Sequence, residues 1–184
     1  MITVMPSGEE KGKIGEHAFA RLCEKWHYEF LYIHQGLETL SSELFINKEK
    51  RPDFLVNISD VAPIFVEVKT KVPGYVKEDY GFPPREPAFG EEHERLDKMR
   101  NFERSMGLNV WYAFFEDKGR VIDQTTVHLC PISRIEKFVP QHLIGNYNKW
   151  RDIWVPIKCM NRCQDCLDLT NKCNTCMERR CKGS

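Results

Sequence analysis

Asp53, Glu67 and Lys69 have side-chain types and spacing suited to hydrolysis of a phosphodiester. Asp53 to Ile58 and Ile64 to Lys71 are short runs rich in β-branched and aromatic residues, and Ser59-Asp60-Val61-Ala62-Pro63 between them is turn-like. Two such runs predict an antiparallel hairpin. With its turn near residues 60 and 61, Asp53 falls opposite residue 67 or 68. The two acids are then cross-strand neighbours, with Cβ atoms about 4.5–5.5 Å apart if directly paired. Alternation puts Glu67 and Lys69 on one face and gathers Phe54, Val56, Ile58, Ile64, Val66 and Val68 on the other, wholly apolar one.

Two carboxylates side by side between buried strands are costly unless a cation sits between them. Mg²⁺ (or Mn²⁺) meets that need, because a hard ion takes carboxylate and carbonyl oxygens and keeps several waters. Asp53, Glu67 and the Val68 carbonyl are the expected ligands, and Lys69 is placed to orient an attacking water and offset charge on a phosphate oxygen. The plainer reading is a hairpin whose Glu67 and Lys69 form a surface ion pair, a contact contributing about 0–1 kcal/mol.

A second constellation closes the chain. Cys163-x2-Cys166-x6-Cys173-x2-Cys176 contains two CxxC knuckles, the spacing that lets thiolates share one tetrahedral Zn²⁺, with Cys159 and Cys181 left over. So short a tail builds little core, and metal would supply most of its folding free energy. Cys23 and Cys130 stand alone and read as core thiols.

The positioning elements follow from periodicity. Ile14, Ala18, Leu22 and Trp26 recur every four residues, predicting an amphipathic helix from Gly12 to Trp26. Tyr28 to His34 reads as a strand. Val72 to Gly90, dense in glycine and proline, reads as one long loop. Its aromatics, with Lys77 and Arg85, suit stacking on unpaired bases or lining a DNA groove, although packing onto the domain is the commoner use. A second helix is expected from Glu91 to Met106, stopped by Gly107, and a buried strand from Asn109 to Phe115. Thr125 to Cys130 and Trp154 to Lys158 read as further strands, and Arg134 to Val139 as a short helix.

Together these elements resemble the PD-(D/E)XK nuclease superfamily, on the residues Pro52-Asp53 and Glu67-Val68-Lys69 and the order helix, strand, hairpin, helix, strand. The resemblance covers about residues 12–116 and implies an α/β fold, a restriction-endonuclease-like αβββαβ core with a mixed central sheet. Gly12-Lys13-Ile14-Gly15-Glu16 is similar to the Gly-x-x-Gly-Glu setting of the Holliday-junction-resolvase-like branch, which implies Glu16 as a third acid in or near the metal shell. Some members of the family also place a Lys or Gln on this second helix, which implies Lys98 as the match, with Arg95 and Arg100 as competitors. Nuclease-fold exonucleases with a [4Fe-4S] cluster offer another cysteine set, Cys23 with Cys163, Cys166 and Cys173, but no Gln-x-x-x-Tyr motif follows the second helix.

Composition bounds these readings. The 184 residues suit one domain at 1–157 and a metal-binding segment at 158–184. With 27 basic and 27 acidic residues the net charge is zero, so nucleic-acid binding must come from a local site. Mean hydropathy is −0.50, and no apolar run approaches the roughly 18 residues needed to cross a bilayer. The first residues carry charge and lack the apolar core of a secretory leader, so a cytoplasmic protein without a membrane span is expected. The expected function is a divalent-metal-dependent nuclease acting on DNA, branched or single-stranded, as a homodimer where both strands are cut. The alternatives are a catalytically inactive nuclease-fold DNA-binding module with a structural zinc site, and the iron-sulfur exonuclease.

Overall fold

The computed structural model describes residues 6–33, 51–58, 62–75, 85–119, 121–135, 152–157 and 160–163. The first helix, α1 (Gly8–Lys25), begins four residues before the apolar stripe suggests, because its start is set by a capping box. Glu10 N donates to Ser7 Oγ at 3.2 Å, and Ser7 N donates to Glu10 Oε2 at 2.6 Å. Two otherwise orphaned amide donors are satisfied this way. The stripe marks only where the helix meets the sheet: Gly15, Ala18, Phe19, Leu22 and Cys23 are buried.

That sheet is built from β1 (Glu29–Tyr32), β2 (Phe54–Asn57), β3 (Ile64–Lys71), β6 (Val110–Asp117), β7 (Ile122–Pro131) and β9 (Asn161–Cys163), in that spatial order. Among the described residues only β3 and β6 pair in parallel, so the sheet is mixed, as expected of the αβββαβ core. Parallel neighbours need a long crossover. Here it carries two short strands, β4 (Gly74–Tyr75) and β5 (Pro87–Glu92), and the helix α2 (His93–Met106).

The crossover corrects the reading of Val72 to Gly90 as one long loop. β4 and β5 join β8 (Asp152–Pro156) in a second, antiparallel sheet of three strands. The glycines that read as loop make room for a distant tryptophan. A Cβ at Gly90 would lie 3.3 Å from ring atoms of Trp154, and one at Gly74 would overlap the same ring. No local period could reveal a strand whose spacing is dictated by a partner more than 60 residues away. Glu91 and Glu92 pair with β8, so α2 starts two residues later than expected, at His93. It ends at Gly107, which adopts φ 67° and donates to Glu103 O at 2.9 Å.

The sheet separates two cores. On one face Phe54, Val56, Ile58, Ile64, Val66 and Val68 pack with Phe19 and Leu22 of α1, the apolar face expected of the hairpin. On the other, Leu96, Met99 and Phe102 of α2 meet Phe65, Tyr112, Phe114 and, from β5, Phe89. Phe89 and Phe114 stack with ring centroids 5.0 Å apart. A short helix, α3 (Ile132–Ile135), starts two residues before the expected one, and 136–139 fall outside the described residues.

Cys23 and Cys130 are buried free thiols, as read from their isolation. Burial, then the charge of Glu24, pushes the Cys23 thiol up to about 12, in a setting that serves packing. Cys163 lies on β9, paired with Val127 at the edge of the large sheet, while Cys166, Cys173 and Cys176 lie outside the described residues, as does Lys77. Among the described residues no helix is long and apolar enough to cross a membrane.

Gly15 fixes how closely α1 lies on β3. A Cβ there would overlap Thr70 Oγ1 and stand 3.4 Å from Val68 Cγ1. The Thr70 hydroxyl cannot simply turn aside, because it donates to Lys11 O at 2.9 Å. Gly15→Ala gains about 1 kcal/mol of helix propensity, but overpacking costs about 1–3 kcal/mol. The net result is expected to be a loss of about 1 kcal/mol in denaturant unfolding. In a Thr70→Ala background the same substitution should instead stabilise, and a loss of equal size in both backgrounds would refute the contact.

Candidate active site

The hairpin pairs in one register: Phe54 with Val66, Leu55 with Phe65, Val56 with Ile64. One step further places Asp53 opposite Glu67, the juxtaposition expected from the turn position. Asp53 is tied in by its backbone, donating to Val66 O at 3.0 Å and accepting from Ile33 N at 2.8 Å. Its side chain reaches across the pair, where Oδ2 accepts from Val68 N at 2.7 Å. The acid of one strand thus holds the peptide between the acid and the lysine of the next.

Glu67 is fully buried, and its Oε1 meets the Lys69 ammonium in a direct ion pair. The strand is closed from Ile64 to Val68 and opens from Lys69 onward, so the lysine stands at the boundary between interior and solvent. Two carboxylates against one ammonium leave this triad one negative charge in excess. Its oxygen donors fit a hard divalent cation. Among the described residues no three His, Cys, Asp or Glu side chains gather closely enough to hold a metal by themselves. A cation here would complete its shell from a backbone carbonyl and water, as Mg²⁺ commonly does.

Glu16 is bound to β1: its Oε2 accepts from Tyr32 OH at 2.8 Å. It lines an open groove of about 450 Å³ between α1 and β1 with His17, Arg21, Tyr32 and Phe54. Burial, the Glu16 hydrogen bond, and the charges of Glu16 and Asp53 push the Tyr32 phenol up to about 12. Tyr32 is therefore bound to Glu16 and lies within the field of Asp53. Sequence reading missed it, although alternation in Tyr28 to His34 places Tyr32 on the same face as Phe30, and both rings pack on Phe54.

The α2 face of the site holds three further polar groups. Tyr112 is the register partner of Glu67 on β6, and its hydroxyl has no hydrogen-bond partner among the described residues. Burial, then the charges of Glu91 and Glu67, holds this phenol well above its ordinary range. Glu91, fully buried on β5, accepts from Glu92 N at 3.2 Å and faces Lys71 Nζ at 3.8 Å. The sequence places Glu91 at a helix start and assigns Lys71 no role. The signal for Lys71 was present, since it follows Lys69 by two residues and alternation keeps both on one face.

Of the expected substrate contacts, Lys98 and Arg85 lie among the described residues. Lys98 is half-exposed on α2 and pairs with Glu94 at 2.7 Å. Its competitors are also engaged locally, Arg95 with Glu92 at 3.0 Å and Arg100 with Asp97 at 3.3 Å. Arg85 is exposed in the turn before β5, with φ 69°.

No protein-family model and no curated protein sequence matches the chain. Among solved structures, the chain is similar to Hjc of Archaeoglobus fulgidus, a Holliday junction resolvase from an archaeal hyperthermophile, at 10% identity and a TM-score of 0.47 over 79% of this chain and 88% of that one.

Proposed function

We propose that this chain is a divalent-metal-dependent DNA nuclease. The observation that carries the reading is the convergence of Asp53, Glu67 and Lys69 where β3 opens to solvent, with the Asp53 side chain holding the Val68 amide. Asp53, Glu67 and the Val68 carbonyl would hold Mg²⁺ or Mn²⁺, whose contribution when bound is to acidify water and polarise a phosphoryl oxygen. Lys69 exchanges its Glu67 partner for the incoming phosphate, aligns the water and offsets charge on the non-bridging oxygens. Glu16, held by Tyr32, adds negative charge at the rim and orients water. The buried wall formed by Phe65, Tyr112 and Phe114 excludes bulk solvent from one side of the reacting centre.

Incubating the purified full chain with four-way-junction, single-stranded and duplex DNA tests the reading. Cleavage is expected with Mg²⁺ or Mn²⁺, is expected to stop on chelation with EDTA, and should return when Mg²⁺ is restored. Binding without cutting in either metal would instead indicate a DNA-binding module on the same fold. Cleavage that persists undiminished in EDTA would overturn the metal assignment.

A further inference from the structure

Glu91 is a poor stabiliser where it stands. A fully buried carboxylate is costly to desolvate unless good geometry offsets it. Its one cationic partner among the described residues, Lys71, is 3.8 Å away, beyond hydrogen-bond range. The contrast with the neighbouring pair is informative. Lys69 is in direct contact with Glu67, whereas the Lys71 ammonium is drawn toward Glu91 without a hydrogen bond to any side chain among the described residues, and its side chain is 30% exposed. Lys69 and Lys71 lie on the same face of β3, two residues and therefore about 6.6 Å apart along the strand. Both belong to the stretch where the strand opens to solvent. A nucleic-acid backbone that delivers one phosphate to Lys69 would bring a neighbouring phosphate along the line to Lys71.

We propose that Lys71 is a second phosphate-binding cation of the cleavage site and that the buried Glu91 carboxylate is its positioning residue. The inference rests on the nuclease reading above, and its ligand is the phosphate adjacent to the one cut. A lysine serves such a contact as a point charge, which gives affinity and orientation without base recognition. Glu91 does not touch the substrate. It reduces the freedom of a long side chain that would otherwise lose rotamer entropy on binding.

The test uses the full-length protein with a fluorescent four-way junction and a fluorescent single strand, in Ca²⁺ for binding and Mg²⁺ for turnover. Lys71→Gln is expected to weaken binding about tenfold, the range of a charge-assisted contact. It should also flatten the slope of log affinity against log salt by about 0.9 on duplex arms, or about 0.7 on the single strand. KM should rise about tenfold with kcat within about threefold of wild type, and Lys71→Arg should restore both. Glu91→Gln separates positioning from mere neutralisation. Removing a negative charge near DNA would by itself tighten binding, whereas loss of positioning loosens it, by about threefold, with the salt slope unchanged. If wild type cuts DNA while Lys71→Gln binds with unaltered affinity and slope, this inference fails and the nuclease reading stands. Tighter binding by Glu91→Gln would remove Glu91 from the proposal, and a wild-type chain that neither binds nor cuts would sink both.

Discussion

Glu67→Gln is expected to lower kcat by about 10³-fold or more while the protein stays folded. The substitution keeps the shape of a fully buried side chain and removes the charge that would face the cation. The cost to stability is bounded. Breaking a buried ion pair by removing one partner costs about 3–5 kcal/mol when the survivor is trapped. Lys69 is not trapped: its side chain is 13% exposed at the open end of β3, so its ammonium can turn toward water. A loss below about 3 kcal/mol is therefore expected. The double variant Glu67→Met with Lys69→Met sharpens the comparison. A buried pair replaced by packed apolar residues is often neutral or stabilising, so this protein should melt at or above the wild-type temperature and cleave nothing. Such a pairing of gained stability with lost turnover would show that the ions are kept for chemistry. Undiminished cleavage by either variant would remove Glu67 from the mechanism.

The second large effect concerns the wall behind the site. Phe114→Ala is expected to cost about 3–5 kcal/mol, the usual toll of removing a buried aromatic ring. Phe114 is fully buried, stacks on Phe89 at 5.0 Å and lies near-parallel to Tyr112 at 5.6 Å. It is also the register partner of Lys69. For a domain of this size the melting temperature should fall by roughly 6–20 °C, out of a total stability typically about 5–15 kcal/mol. Because the ring connects β5 to the large sheet, the second sheet should lose hydrogen-exchange protection before β2 and β3 do. A shift of less than about 2 °C would mean that the two sheets are not coupled through this stack.

The hairpin was legible because its determinants are local. A turn-like interval and alternating apolar residues fix the register, and the register brings Asp53 to Glu67 without any help from the rest of the chain. The α1 stripe and the αL stop of α2 at Gly107 were legible for the same reason. The second sheet was not, because β4 and β5 acquire their conformation from Trp154 and β8, and their glycines are packing devices rather than breakers. The partners of Tyr32 and Glu91 were not legible because each meets a distant group: Glu16 on a helix in one case, Lys71 on another sheet in the other. Types and spacing point to candidates for chemistry more readily than to the residues that hold them in place.

The hold of Asp53 on Val68 is made to a main-chain amide, and therefore places no demand on the side chain at position 68. That side chain packs separately, beneath α1. Evolutionary drift among Val, Ile and Leu at this position can thus retune the helix seat without disturbing the acid. Proline, with no N–H to offer, is the substitution that chemistry alone forbids.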